Sequence, residues 1–189
     1  MIAAVALFPM FLAGAGPAAA ADLPESLFPG GPFALVDGTG KPVTEQSFRG
    51  KWQLIFFGYT FCPDFCPTTL TAVAEALSSL GSQADKVQPI FISIDPERDT
   101  PETVGSYVRN FDDRIIGLTG SADAIAAAAK AYKVHYTRVA TGEGADEYAM
   151  DHSGFLYLMK PDGSFSQLLS GTMTGAQLSE KLRPLLGAS

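Results

Sequence analysis

The sequence predicts an α/β fold in which a mixed central sheet is flanked by helices, with an N-terminal hairpin extension. Short apolar runs of strand length alternate with helix-length amphipathic segments, which is typical of strands joined by crossover helices. The chain then ends with two strand-like runs across a Lys-Pro-Asp-Gly-Ser turn and a final helical segment. With 189 residues, 47% of them hydrophobic, one substantial core is expected and two full domains are not.

The first 32 residues are predicted to lie outside this domain. Residues 1–21 carry no charge and end in four alanines, so they resemble a signal peptide, although about 20 apolar residues also suffice for a membrane anchor. Residues 22–32, rich in proline and glycine, are predicted to be a linker, and residues 33–189 the folded, exported domain. The net charge of -7 excludes nucleic acid as a partner, because no basic stripe is available to neutralise phosphates.

Strands and helices are expected in alternation along the domain. Apolar or alternating runs predict an entry hairpin and further strands at residues 33–36, 42–43, 53–58, 87–94, 114–118, 134–139, 155–159 and 165–169. Helical spacing predicts helices at residues 68–80, 101–111, 123–132 and from residue 174 onward. The segment 141–147 is predicted to be a polar loop.

Capping residues support the helix boundaries. Thr100 and Ser121 are predicted as N-caps, and Thr174 with Gln177 forms a capping-box pattern at the last helix. Pro184 is expected to end or kink that helix.

Both cysteines of the chain lie in one segment, Leu54 to Leu70, directly after a predicted buried strand. Pro63 and Pro67 bias the residue before each of them away from helical angles, so Cys62 and Cys66 are expected to be non-helical, with Pro67 at the first position of the following helix. The two thiols therefore stand at the carboxyl edge of the sheet, where ligands gather in such folds.

The free amides and the positive end of the dipole at a helix N-terminus favour the thiolate form of nearby cysteines. Thiolate is the form that attacks disulfides and binds soft metals. The C-x-x-x-C spacing alone is equally compatible with a local disulfide, an inert buried pair or half of a zinc site, which needs four ligands. Of the two histidines, His135 lies in an alternating stretch and is interpreted as a strand side chain. His152 lies in a polar break before the terminal hairpin and is the stronger ligand candidate.

Three motifs in this order closely resemble the Sco/SenC family of copper-binding proteins. They are F-F-G-Y-T-F-C-P-D-F-C-P (56–67), S-I-D-P-E-R-D-T-P-E (93–102) and D-H-S-G-F-L-Y-L (151–158). The resemblance implies a thioredoxin-like fold with Cys62, Cys66 and His152 as copper ligands. It further implies a role in delivering copper to the CuA centre of cytochrome c oxidase, or in preparing the cysteines of that centre. An exported, periplasmic domain, soluble or tethered to the outer face of the cytoplasmic membrane, is implied as well.

The residues agree with a copper site. Two thiolates and an imidazole suit Cu(I) in a three-coordinate site and can hold Cu(II) with an added oxygen donor. Asp64 is expected either to favour a bound cation or to cap the following helix, and Asp151 either to orient His152 or to end a strand. The 95–99 loop is read mostly as turn and cap chemistry, with contact to copper or a partner as the weaker alternative.

The main alternative is a thiol-disulfide oxidoreductase that reduces the CuA-site cysteines, so enzymatic activity is left open. Such enzymes usually carry C-x-x-C rather than C-x-x-x-C. A peroxiredoxin is disfavoured because Thr60 stands two residues before Cys62, where that class has three. An interaction module without copper would leave the three motifs unexplained. Expected partners are the oxidase subunit carrying CuA and, beyond it, other periplasmic copper carriers or thiol reductants.

Overall fold

The structure is a computed structural model and describes residues 27–187. Within this range nine strands and four α-helices follow one another along the chain. They are β1 (Ala34–Asp37), β2 (Pro42–Thr44), β3 (Trp52–Gly58), α1 (Phe65–Leu80), β4 (Val87–Ser93), α2 (Pro101–Arg109), β5 (Ile116–Thr119), α3 (Ala122–Ala131), β6 (Tyr136–Ala140), β7 (Tyr148–His152), β8 (Phe155–Met159), β9 (Phe165–Ser170) and α4 (Gly175–Gly187). The predicted signal peptide or anchor at 1–21 and the first part of the predicted linker lie outside the described residues.

Seven strands form one mixed sheet in the order β2-β1-β5-β4-β3-β8-β9. The central strands β3, β4 and β5 are parallel, and antiparallel strands extend the sheet on both sides. The predicted entry hairpin is confirmed as β1 and β2, and β1 joins it to the sheet through β5. The parallel strands end at one edge, which places the loops after β3 and β4 side by side.

Helices cover the sheet and complete the core. The last six residues of β3 are buried, as expected for a strand that is covered on both faces. Helix α1 packs on α4, whereas α2 contacts β5 and β1, and α3 contacts β1. This arrangement confirms the mixed sheet flanked by helices. None of the helices within residues 27–187 is long and apolar enough to cross a membrane.

The predicted N-caps are confirmed. The hydroxyl of Thr100 accepts a hydrogen bond from the Thr103 amide at 3.2 Å, and Ser121 caps α3 in the same way. The capping box of α4 is present, since the Thr174 amide donates to the Gln177 side chain and the Gln177 amide donates back to the Thr174 hydroxyl.

Of the two effects expected of Pro184, ending the last helix is wrong, because α4 continues to Gly187, and a kink stays a prediction. Leu182 and Leu186, on either side of the proline, are 1% and 0% exposed. Burial of these two side chains offsets the one hydrogen bond that the proline cannot donate.

The expectation that Cys66 is non-helical is also wrong, because α1 begins at Phe65. Pro67 is therefore the third residue of the helix rather than the first. A proline is tolerated there because the amides of the whole first turn lack intrahelical partners. The prediction holds for Cys62, which lies in the loop before the helix.

A second, two-stranded sheet includes part of the segment predicted to be a polar break before the terminal hairpin. Strand β7 pairs antiparallel with β6, with Tyr136 opposite His152 and Ala140 opposite Tyr148. The polar loop at 141–147 is the connection of this hairpin, and His152 ends a strand instead of lying in a break. Strand β6 is exposed after its first residue, whereas Tyr148 of β7 is buried and Tyr136 and Met150 pack against the core.

Candidate metal-binding site

The two cysteines lie against each other at the carboxyl edge of β3. Cys62 is half-buried in the loop, whereas Cys66 is buried in the first turn of α1. The Cys66 amide, one of the free amides of that turn, donates a hydrogen bond to Cys62 Sγ at 3.3 Å. Both cysteines are free thiols.

Glycine at position 58 makes room for the buried thiol. A Cβ atom on Gly58 would lie 2.9 Å from Cys66 Sγ and 2.8 Å from the Phe91 ring. Both distances are shorter than ordinary van der Waals contact, so the last residue of β3 must lack a side chain for Cys66 to pack there.

His152 approaches the thiols from β7, across from α1. Its Nε2 lies 3.7 Å from Cys66 Sγ. The rings of Phe56, Tyr59 and Phe65 surround the imidazole with centroid distances of 6.1–6.2 Å. These three aromatic rings restrict the orientation of the imidazole and leave the His152 side chain half-buried.

The other ring nitrogen of His152 has its own partner. Nδ1 lies 3.2 Å from the Ser153 carbonyl oxygen, which can accept only if Nδ1 carries the proton. That tautomer leaves a lone pair on Nε2, directed to the side of Cys66. The sequence suggested Asp151 for this orienting role, but the side chain of Asp151 is exposed and the carbonyl oxygen of Ser153 takes the position.

The environment separates the two thiols in their acidity. The hydrogen bond from the Cys66 thiol lowers the pKa of Cys62 from 9.0 to about 4, against the effect of burial, and hydrogen bonds from the Cys66 and Asp64 amides lower it further. The same hydrogen bond and burial raise the pKa of Cys66 far above its usual range. Near neutral pH the pair therefore holds one thiolate, on Cys62, and one thiol, on Cys66.

Asp99, at the end of the 95–99 loop, fixes the start of the cysteine loop. Its carboxylate accepts hydrogen bonds from the Thr60 amide at 3.0 Å, the Thr60 hydroxyl at 2.6 Å and the Ser93 hydroxyl at 2.6 Å. Burial raises the pKa of Asp99, while these donors lower it. The sequence interpretation of this loop as turn and cap chemistry did not include this contact, because it joins residues 39 positions apart.

The structure thus brings Cys62, Cys66 and His152 together from two separate elements. Asp64 stands exposed at the start of α1, where the Thr68 hydroxyl donates to its side chain at 3.4 Å. His135 precedes β6 and is exposed. Within residues 27–187, no three His, Cys, Asp or Glu side chains already stand in a geometry that could hold a metal ion.

Comparison with known proteins identifies the family of the chain. A family model described as SCO1/SenC matches residues 22–187. The chain belongs to the SCO1/SenC family. It is 44% identical over 137 residues to the mitochondrial protein SCO1 homolog 1 of Arabidopsis thaliana, covering 72% of this chain and 40% of that protein. The chain spans 40% of the length of that relative and 62% of the length of the mitochondrial SCO2 homolog of Mus musculus.

Solved structures of SCO1/SenC relatives share the fold. The chain is 46% identical to Bradyrhizobium japonicum ScoI with copper bound, with a TM-score of 0.76, covering 82% of this chain and 98% of that one. It is 25% identical to BsSco, a member of the Sco family of cytochrome c oxidase assembly proteins in which a disulfide switch was identified, with a TM-score of 0.64 and coverage of 86% and 95%. The thioredoxin-like fold is confirmed.

Proposed function

We propose that this SCO1/SenC protein binds copper through Cys62, Cys66 and His152 and delivers it to the CuA centre of cytochrome c oxidase. The observation that carries the proposal is the 3.7 Å separation of His152 Nε2 and Cys66 Sγ beside the Cys62 thiolate. The copper bound to Bradyrhizobium ScoI and the description of the Sco family as oxidase assembly proteins support it.

The distance suits two donors of one ion. Sulfur and nitrogen bound at about 2.3 and 2.0 Å, with trigonal or tetrahedral angles, lie about 3.5–3.7 Å apart. Cys62 Sγ accepts hydrogen bonds from the Cys66 amide at 3.3 Å and from the Cys66 thiol, so it lies beside the second sulfur. Two soft sulfurs and one imidazole favour Cu(I), and an added oxygen donor permits Cu(II).

The cargo can leave through the open side of the site. Three protein donors leave a coordination position for a ligand of the acceptor, so copper can pass by stepwise ligand exchange. Binding Cu(I) requires the thiol of Cys66 to lose its proton, and release to the acceptor returns that proton to Cys66. Copper is thus exchanged for about one proton near neutral pH.

The place of action follows from the same proposal. We infer that residues 1–21 direct export and that the domain works in the periplasm, either soluble or tethered to the outer face of the cytoplasmic membrane. The partner is the oxidase subunit that carries CuA, and other periplasmic copper carriers or thiol reductants would load or reset the protein.

The lowered pKa of Cys62 favours a second candidate function, reduction of the disulfide in an unloaded CuA site. The Cys62 thiolate attacks the acceptor disulfide and forms a mixed disulfide, while one acceptor sulfur leaves and takes up a proton. Cys66 then loses its proton, attacks Cys62 and releases the second acceptor thiol. Two electrons pass to the acceptor, and the Cys62–Cys66 disulfide that forms cannot bind copper.

One anaerobic experiment separates the two functions. The reduced protein, with and without one equivalent of Cu(I), is mixed with an oxidised or a reduced CuA-domain fragment, and both copper and thiols are followed by mass spectrometry. Copper movement to the reduced fragment establishes delivery. Loss of the disulfide of the oxidised fragment, with no copper movement to the reduced fragment, establishes the reductase and overturns delivery.

The ligand set is tested with a matched pair of histidine variants. We expect His152→Ala to weaken Cu(I) binding and to change the thiolate-to-Cu(II) charge-transfer absorption, whereas His135→Ala leaves both unchanged. Copper affinity and spectrum unchanged in His152→Ala would remove His152 from the ligand set.

A further inference from the structure

The hairpin that carries His152 stands apart from the main sheet. Strands β6 and β7 pair with each other and with no strand of the seven-stranded sheet within residues 27–187. All of β6 after its first residue is exposed. A lone two-stranded hairpin is at best marginally stable in water, so contacts with other segments must hold it in place.

Arg98 makes such contacts with Tyr148, the first residue of β7. Its guanidinium lies 3.6 Å from the centre of the Tyr148 ring, and Nη1 donates to the Tyr148 carbonyl oxygen at 3.1 Å. Arg98 Nε pairs with Asp95 at 2.6 Å, and the Tyr148 hydroxyl donates to the other oxygen of Asp95 at 2.7 Å. These three residues form a closed unit, and the side chain of Asp95 is only 3% exposed.

The same guanidinium also faces the cysteine loop. It lies 4.7 Å from the ring centre of Phe61, the residue before Cys62, and 5.8 Å from that of Tyr59. Tyr59 in turn meets the His152 ring edge-on at 6.2 Å. Arg98 thus touches the segment that carries the thiols and the strand that carries the imidazole.

The loop from Asp95 to Asp99 therefore binds both halves of the site. Asp99 holds the cysteine loop through Thr60, and Arg98 holds the hairpin through Tyr148. A planar guanidinium can stack on a ring and form directed hydrogen bonds at the same time, which a lysine cannot. The residue type at position 98 is thus matched to this geometry.

We propose that Arg98 is a positioning residue that holds the β6–β7 hairpin closed and so keeps His152 within reach of Cys66. The proposal rests on the proposed function, in which His152 is a copper ligand. Without Arg98 the cysteine loop is still held by Asp99 through Thr60, but the hairpin opens for part of the time. Apparent copper affinity then falls in proportion to the closed fraction.

A second arginine, Arg138, contacts the same tyrosine ring but is more exposed than Arg98. Arg138 also lies 3.6 Å from the Tyr148 ring centre, so the two guanidinium groups occupy opposite faces of the ring. Its side chain is 43% exposed and pairs with Glu97, which is 69% exposed, whereas that of Arg98 is 14% exposed. An exposed pair contributes little, so the inner arginine carries the attachment.

The test compares Arg98→Met and Arg98→Lys with Arg114→Met. Arg114 is a suitable control because it pairs with Asp112 in the loop before β5, at the opposite end of the parallel strands. Amide hydrogen exchange in the metal-free protein is the first measurement. We expect Arg98→Met to speed exchange in residues 136–140 and 148–152 by about tenfold or more, with β3 and β4 unchanged.

The second measurement is Cu(I) affinity by competition, in the parent and in His152→Ala. We expect Arg98→Met to raise the Cu(I) dissociation constant about tenfold in the parent and less than about twofold when His152 is absent. Arg98→Lys should fall between the parent and Arg98→Met, and Arg114→Met should match the parent in both measurements.

Two results would overturn the positioning role. One is unchanged hairpin exchange in Arg98→Met; the other is an equal loss of affinity with and without His152, which would indicate general destabilisation. If His152→Ala binds copper as the parent does, the ligand set of the proposed function fails. The exchange measurement still decides whether Arg98 holds the hairpin.

Discussion

Alkylation of the metal-free, reduced protein by iodoacetamide will report the acidity of Cys62 directly. With its pKa lowered from 9.0 to about 4, Cys62 is a thiolate throughout the range from pH 5.5 to 8. Because the pKa is lowered, the thiolate is protonated and loses its reactivity only as the pH falls toward 4. Its modification rate should therefore be nearly flat, whereas that of an ordinary thiol rises about tenfold per pH unit below its pKa.

Two opposing effects set the expected alkylation rate of Cys62 relative to an ordinary thiol. At pH 6 the thiolate fraction of Cys62 exceeds that of a thiol with a pKa of 9.0 by about 1000-fold. Five units of lower basicity reduce intrinsic nucleophilicity by about 100- to 300-fold, because the Brønsted slope is about 0.4–0.5. At pH 6, Cys62 should thus react about 3- to 10-fold faster than a reference thiol peptide. At pH 8 its rate should be lower than that of the reference by a factor of about ten or more.

Peptide mass spectrometry after timed quenching gives the rate at Cys62 separately from that at buried Cys66. Cys66→Ala is the informative variant, because it removes the largest cause of the lowered pKa and should restore a sloping profile. A parent rate that climbs tenfold per unit from pH 6 to 8 would refute the assignment of the thiolate to Cys62.

Two substitutions test the packing around the thiols. Gly58→Ala should destabilise the fold by about 1–3 kcal/mol, measured by urea unfolding, because its Cβ would press on Cys66 and on the fully buried ring of Phe91. Unchanged stability together with unchanged Cys62 alkylation would contradict this packing. Asp99→Asn should lower the free energy of unfolding by about 1–3 kcal/mol, because the two Thr60 donors bind different carboxylate oxygens and the amide nitrogen that replaces one of them cannot accept. A stability equal to that of the parent would show that the carboxylate is not needed there.

Most of the elements could be predicted because their signals are local. The apolar run of β3, the capping residues Thr100 and Ser121, and the turn before β9 each act over a few residues. The thiol half of the site belongs to this class, since Cys62 and Cys66 are joined by one loop. Pattern and capping chemistry therefore suffice to place them at the end of a strand.

The β6–β7 hairpin shows where local signals are insufficient. Residues 136–140 and 148–152 bury little, so hydrophobic periodicity identified an extended segment but not its partner. The apolar run Tyr148-Ala149-Met150 was the available sign of a second strand. Pairing of the two segments depends on contacts with the 95–99 loop, and these contacts are distant in sequence.

An α/β domain with two thiols at a strand end follows from the sequence alone. Three motifs add a resemblance to copper-binding proteins, which implies His152 as the third donor. Only the folded chain shows how His152 reaches the thiols: it lies on a strand, with Nδ1 against the Ser153 carbonyl oxygen and Nε2 3.7 Å from Cys66 Sγ. The folded chain also shows that Asp99 and Arg98 hold the two halves together. These contacts follow from chain packing, because each joins residues that only the folded sheet brings to one edge.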